Sequence, residues 1–190
     1  MSLDFVDLHL HTEYSILDGM AKIKDIISRS QKIGRKAIAI TDHGTMAGIP
    51  EFYWEAKKHN LVPILGCELY VDEGLENRYP SHLTILVKNK RGYRQLIELN
   101  NLAQGQFYDR PRITYQQLFD AAPDGLYALS GCPSNRAARY ALAGNLEAAM
   151  GLYTGLRRSL GGFAAEIQRH VVTDDEFDKT QKFLANWGLA

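Results

Sequence analysis

The sequence predicts an α/β domain of repeated strand–helix units around a mainly parallel sheet. Apolar runs of period two alternate with apolar runs of period 3.6 almost throughout, the pattern of strands feeding helices that pack back onto one sheet. A chain of 190 residues, 45% hydrophobic and 23% charged, is long enough and apolar enough for one domain with its own core. No internal repeat, low-complexity tract or charge block marks a linker, so residues 1–190 read as a single domain. Twenty-two basic and twenty-two acidic side chains cancel, so any contact with nucleic acid must come from a local patch. No apolar run approaches the roughly 20 residues of a membrane span. Met1-Ser2-Leu3-Asp4 lacks the basic and apolar regions of a signal peptide, and a cytoplasmic location is expected. Cys67 and Cys132 are too few for a disulfide scaffold and are expected to be reduced.

The first strand is Phe5 to His11. Alternation there aims Asp7, His9 and His11 to one side and Val6, Leu8 and Leu10 to the other. The polar side thus offers two imidazole metal ligands and a carboxylate to bind or orient a cation. Ile23, Ile26, Ile27 and Ile33 then form a helical stripe that Gly34 can close, and Ala37 to Thr41 reads as a second strand. A helix from about Ile49 to His59 accommodates Pro50 in its first turn, and the third strand covers Val62 to Val71. Turn-rich residues 72–81 lead to a fourth strand at Leu83 to Lys88, then to a helix with Tyr93, Leu96 and Ile97 on one face. After a loop from Gln104 to Arg112, Thr114 and Gln117 make a capping box for a short helix. Leu126 to Leu129 is strand five, Leu146, Ala149, Met150 and Tyr153 stripe another helix, and Phe163 to Gln168 is strand six. A last helix opens on Thr173, with Glu176 completing its capping box, and buries Phe177, Leu184 and Trp187.

If such strands curl into a barrel, one row of side chains faces the interior and the other faces the helices. Thr41 and His43 share an inner phase against Ile38 and Ile40, and Gly66 and Glu68 oppose Leu65 and Leu69. His82 and Thr84 oppose Leu83, Ile85 and Val87. Cys132 continues a row of Ala128 and Ser130, and Glu166 with Gln168 opposes Phe163, Ala165 and Ile167. In strands one, two, three and five the candidate sits at the C-terminal end, where parallel barrels place their chemistry. His82 begins its strand and Glu166 lies inside one, so the depth of these two stays open. Imidazoles, carboxylates and one thiol gathered in this way suit a zinc-like or manganese-like site and can hold more than one ion. Such ions acidify water and offset charge on a phosphate oxygen. The bland alternative makes His9 and His11 hydrogen-bonded barrel residues and Glu68 the partner of a buried base.

Cys67, in the outer phase, is expected to pack, and Cys132 either ligates or fills core space. Asp42 is expected to orient a ligand, His59 to cap its helix, and His170 to face either the site or solvent. Arg78, Arg91, Arg94, Arg110 and Arg112, with Tyr79 and Tyr108, lie in or beside the two long loops. There they either contact a phosphate backbone and a stacked base or form solvated surface.

These residues carry a signature. His9-Leu10-His11-Thr12 with Tyr14-Ser15-Ile16-Leu17-Asp18-Gly19, then Thr41-Asp42-His43-Gly44, then Gly66-Cys67-Glu68 resembles the polymerase and histidinol phosphatase (PHP) family. His82-Leu83-Thr84-Ile85-Leu86-Val87-Lys88-Asn89 with Gly92-Tyr93, followed by Arg110-Pro111-Arg112-Ile113, is similar to the branch that opens the alpha subunit of bacterial DNA polymerase III. The resemblance covers essentially the whole chain. It implies a distorted (βα)7-type PHP barrel holding up to three divalent metal ions, zinc first, with manganese, iron or magnesium as alternatives. It implies phosphoester hydrolysis, in some polymerases as a 3′ to 5′ proofreading exonuclease. The ligands it implies are His9, His11, Asp18, His43, Glu68, His82 and Cys132, with Asp18 resting on the resemblance alone, since by itself it reads as a helix N-cap. Asp7, Asp42, Glu166 and His170 are expected around them, and Arg78, Arg110 and Arg112 as the DNA contacts. The implied partners are DNA, the remainder of the polymerase alpha subunit and other replisome subunits, with no membrane.

The family pattern ends with an Asp-x-His pair on a seventh strand, whereas this chain ends at Trp187-Gly188-Leu189-Ala190, before that strand should begin. The expectation is a barrel lacking its last strand, with strands one and six as edges and a metal site short of two donors. Nucleotide transfer itself needs a palm-domain carboxylate set that this barrel pattern does not supply. Two other readings account for the ligands. One is a free-standing phosphatase for a small phosphorylated metabolite, disfavoured by the stretches around His82 and Arg110. The other is a non-catalytic scaffold that metal only stabilises. A chain extended through the final strand is expected to bind metal more tightly and hydrolyse DNA faster than this one in parallel titrations and nuclease assays. Equal activity in the two refutes that expectation.

Overall fold

The computed structural model describes residues 5–16, 18–121, 124–132, 135–168 and 182, so His170 and the helix expected from Thr173 lie outside the described residues. The stripes and caps read above build most of the helices. α1 (Ile23–Lys32) buries Ile23, Ile26, Ile27 and Ser30 and is followed by Gly34 at φ 75°, leaving Ile33 outside the stripe, 42% exposed. β1 (Ala37–Ile40) follows, then α2 (Ile49–Lys58), which carries Pro50 in its first turn and buries Ile49, Phe52 and Ala56. β2 (Val62–Asp72) and β3 (Ser81–Val87) precede α3 (Lys90–Gly105), whose N-cap Asn89 accepts a hydrogen bond from the Gly92 N–H at 3.0 Å. β4 (Arg112–Thr114) runs into α4 (Tyr115–Ala121). There the Thr114 hydroxyl accepts from Gln117 N–H and the Gln117 carbonyl oxygen from Thr114 N–H, a reciprocal capping box. β5 (Leu126–Leu129), α5 (Arg136–Leu142), α6 (Leu146–Ser159) and β6 (Phe163–Ala164) complete the order. α5, two turns capped by Asn135, has no counterpart in the expected elements. β6 is two residues long where six were expected, and α6 buries Ala149, Tyr153 and Leu156 while Leu146 and Met150 stay largely outside.

The sheet runs β1-β2-β3-β5-β6, with β4 added beside β2. It is mixed but mainly parallel, as expected: β1 with β2, β2 with β4 and β5 with β6 are parallel, and β3 alone runs antiparallel, to both β2 and β5. The cause lies in residues 73–80, which contain no helix, so β2 and β3 meet as neighbours without the crossover that parallel strands require. Tyr70 therefore faces His82 and Glu68 faces Thr84, and the start of β3 lies beside the end of β2. His82 joins the C-terminal ends of the other strands for that reason.

Register assigns the two faces. Cys67, Leu69, Val71, Leu83, Ile85 and Ala128 pack outward against Leu96, Leu99, Tyr153 and Leu156 of the helices. Ala39, Leu86 and Leu129, with Ile64, Tyr127 and Ala164, form an apolar floor inside the barrel. The inner row of β5 is thus Tyr127 and Leu129, the reverse of the phase expected from Ala128, Ser130 and Cys132. Gly131, at φ 75°, breaks the alternation before Cys132.

Residues 5–12 do not form the expected regular strand. Ala39 N–H donates to Asp7 O at 3.0 Å and Thr41 N–H to Leu10 O at 2.9 Å. Donors two apart meet acceptors three apart, so one extra residue is accommodated as a bulge, with a bend at His9. Asp7 consequently leaves the phase of His9 and pairs with Arg35 at 3.1 Å, which corrects its expected place beside the metal ligands, and Leu8 is 37% exposed.

Arg112 is also corrected. Its side chain is fully buried, and its guanidinium donates to the carbonyl oxygens of Leu75, Asn77, Tyr108 and Arg110. It staples the loop after β2 to the loop before β4 and is not available to DNA. Arg112→Leu strands those carbonyls and is expected to destabilise the protein by about 2–4 kcal/mol in urea unfolding.

Candidate metal centre

Six of the seven expected ligands converge by direct contact. Glu68, 1% exposed, lies on the inner face of β2, with its Oε2 2.8 Å from His9 Nε2, 2.7 Å from His11 Nε2 and 3.3 Å from His43 Nδ1. Its Oε1 is 2.9 Å from His82 Nδ1. Asp18 Oδ2 lies 2.7 Å from His43 Nε2 and 3.1 Å from His11 Nδ1. Three overlapping donor groups result: His9, His11 and Glu68; His11, Asp18 and His43; and His43, Glu68 and His82, each with ligand atoms within 4.8 Å of one another. Cys132 completes the set as a hydrogen-bond partner of His82.

Backbone and buried side chains fix these donors. Gly44 N–H donates to Glu68 O at 2.9 Å and Glu68 N–H to Asp42 O at 3.0 Å, which sets His43 beside Glu68 beyond the end of β1. The Gly44 carbonyl accepts from the side-chain amides of Asn100 and Gln104 on α3 at 3.0 and 2.8 Å. Asp42, 1% exposed, accepts from Thr12 N–H, the Thr12 hydroxyl and the Ser15 hydroxyl, at 2.6, 2.8 and 2.8 Å. It therefore holds the turn that carries His11 and Asp18. That turn needs a glycine after Asp18, because a Cβ at Gly19 would sit 1.8 Å from Thr12 O. Glu166 accepts from His9 Nδ1 at 2.7 Å, which directs the other ring nitrogen to Glu68.

Burial opposes charge on His9, but hydrogen bonds to Glu166 and Glu68 outweigh it and push the imidazole up to about 10. Burial also opposes charge on His82, and its contacts with Cys132 and Glu68 prevail, pushing it up to about 9. On Glu68 burial favours the neutral acid, yet His11, His82 and His9 hold the carboxyl far below its ordinary range. His43 is shifted down, chiefly by burial. Glu68 Oε1 and His43 Nδ1 are buried without a well-aligned hydrogen bond. Donors left over in this way, together with carboxylate–imidazole separations of about 3 Å, fit a divalent cation: ligands at roughly 2.0–2.1 Å around a tetrahedral ion stand little more than 3 Å apart.

A cavity of about 400 Å³ opens over Asp18, His43 and His82. Tyr70, stacked on His43 with centroids 5.8 Å apart, and Arg139 of α5 also line it. Neither figured among the sequence candidates. Tyr70 shares the phase of Glu68, a usable signal, but Arg139 sits on the helix that the pattern did not reveal. Arg110 lines the cavity as well, whereas Arg78 is exposed on the loop after β2 without lining it. Cys67 is buried, its thiol directed at Asp42 O, and His59 lies at the end of α2 against Glu55. No helix among the described residues is long and apolar enough to cross a membrane.

Residues 7–170 match the PHP domain family. Among curated relatives, the DNA polymerase III subunit alpha of Borreliella burgdorferi is 37% identical over 90% of this chain, and that of Chlamydia trachomatis is 36% identical over 97%. The chain spans only 16% and 15% of their respective lengths. A solved structure from Bifidobacterium adolescentis, described as a candidate metal-dependent phosphoesterase, shares the fold with a TM-score of 0.55 at 15% identity, covering 96% of this chain and 83% of that one.

Because the fold keeps His9 and His82 protonated up to about 10 and 9, against 6.5 ordinarily, their contribution to stability is complete below pH 6.5 and is lost as the pH rises through those values. Glu68, held low, contributes above its ordinary 4.5 and loses that contribution only on acidification. Thermal unfolding of chelator-treated protein is therefore expected to shift to lower temperature between pH 6.5 and 10, and Glu68→Gln to flatten that dependence.

Proposed function

The chain belongs to the PHP domain family, and we propose that it is the metal-dependent phosphodiesterase domain of a bacterial replicative DNA polymerase alpha subunit, removing nucleotides from DNA 3′ ends. The observation that carries this reading is the triple donor cluster around one buried carboxylate. Its support is the polymerase III alpha name of the relatives and the phosphoesterase fold of the structural neighbour.

In this proposal His9, His11, Asp18, His43, Glu68, His82 and Cys132 hold the ions, and zinc is the first choice because imidazoles dominate and a thiol is present. Bound divalent ions supply Lewis acidity toward a phosphoryl oxygen and acidify water. The remaining work belongs to the chain. Glu68 belongs to two donor groups and neutralises positive charge at the floor of the site. Asp18, the most exposed donor at 47%, stands at the mouth where substrate enters. Glu166 and Asp42 orient their neighbours without entering the donor groups. The partners in this reading are DNA, the remainder of the polymerase subunit and the replisome around it, in the cytoplasm.

Protein purified without chelator is expected to contain zinc by elemental analysis and to shorten a single-stranded DNA oligonucleotide in a chelator-sensitive manner. Glu68→Gln is expected to lower metal content and to slow hydrolysis by about 100-fold or more. Hydrolysis indifferent to both chelator and substitution overturns the reading. Metal that raises the melting temperature while neither this chain nor the intact polymerase hydrolyses DNA replaces it with a scaffold role.

A further inference from the structure

The rim of the site carries groups that metal binding leaves unused. Arg110 is exposed and donates to the Tyr70 hydroxyl at 3.0 Å, with its guanidinium 5.3 Å from the centroid of that ring. Arg139 donates to the Tyr79 carbonyl at 3.3 Å and to the Ser81 hydroxyl at 2.7 Å, and its Nε is buried without a hydrogen-bond partner. All of these partners are neutral, and neither guanidinium forms an ion pair with a carboxylate among the described residues. Two uncompensated cations thus line the cavity that Asp18, His43 and His82 also line. Tyr79, 72% exposed, edges the same cavity. A second cavity of about 660 Å³ shares Ile16, His43, Tyr70 and Arg110 with the first and is edged by Phe107, 61% exposed. The two form one groove passing over His43, with Arg110 at the waist.

A small phosphorylated metabolite needs one phosphate anchor and one enclosed pocket. A groove with two cations and exposed aromatic rings instead matches the way single strands are held, with phosphates on guanidinium groups and bases on ring faces. Resting on the phosphodiesterase reading above, we propose that Arg110 and Arg139 anchor successive phosphates of a single-stranded DNA end, with Tyr79 stacking its terminal base. Arg139 and Tyr79 are joined through the Tyr79 carbonyl, so the phosphate anchor and the stacking ring are placed as a unit.

Fluorescence anisotropy of a 5′-labelled oligothymidine reads the rim directly in chelator-treated protein, where no hydrolysis intervenes. Arg110→Gln and Arg139→Gln are each expected to weaken binding about tenfold and to flatten the slope of log affinity against log salt by about 0.7, the share of one phosphate contact on a single strand. Tyr79→Ala is expected to weaken the oligonucleotide about tenfold while leaving competition by inorganic pyrophosphate unchanged. Lys57→Gln, on the exposed side of α2, is the unaffected control. Arg139→Lys keeps the charge and is expected to restore most of the salt slope, which a merely structural role for Arg139 does not predict. Absence of binding by the parent chain, or unchanged affinity and salt slope in both glutamine variants, overturns the proposal. Arginine-dependent binding, with neither this chain nor the intact polymerase hydrolysing DNA when loaded with zinc, sinks the hydrolase reading and leaves the rim standing. Hydrolysis with arginine-independent binding sinks the rim alone.

Discussion

A carboxylate taken out of water is costly unless opposite charge surrounds it, and Glu68 is such a carboxylate, 1% exposed in the middle of β2. Four imidazoles stand within 3.3 Å of its two oxygens. Much of the polar architecture follows from satisfying this one group. Imidazolium protons do so in the metal-free protein, and divalent cations do so in the proposed working state. The histidines differ in how far they join in: His9 and His82 are driven toward the charged form by carboxylate or thiol partners, while His43 is driven the other way by burial.

The site stands where regular structure breaks. A bulge near His9 frees two imidazoles from strict alternation with Asp7. The chain leaves β1 at Thr41, whose hydroxyl both accepts from Leu10 N–H and donates to Leu10 O. Gly131 breaks the phase of β5 just before Cys132, and the helix-free connection between β2 and β3 brings His82 to the mouth. Each departure lies at the same end of the barrel. The interior below it is the apolar floor of Ala39, Leu86 and Leu129.

Around the donors, side chains with charge or hydroxyl groups divide into those that hold the protein to itself and those that face outward. Asp42 and Arg112 are fully committed: one gathers the turn bearing His11 and Asp18, the other ties together the loops bearing Tyr79 and Arg110. Arg110 and Arg139 have only neutral partners. Arg112 and Arg110 are two residues apart and both basic, yet β4 buries one and leaves the other at the rim. Charge type alone carries no information about which is which.

The sequence by itself determined the α/β class, the presence of most helices, the capping box at Thr114 and the gathering of His9, His11, His43 and Glu68 at one end of the sheet, because hydrophobic period and side-chain alternation are local properties. Asp18 was legible only through its motif, since a turn residue has no phase. Only tertiary structure decided the direction of β3, the pairing of Asp7 with Arg35, the burial of Arg112, the inner row of β5 and the reach of Arg139 from α5. Each of these depends on which distant group lies opposite across the fold, and spacing along the chain does not encode that.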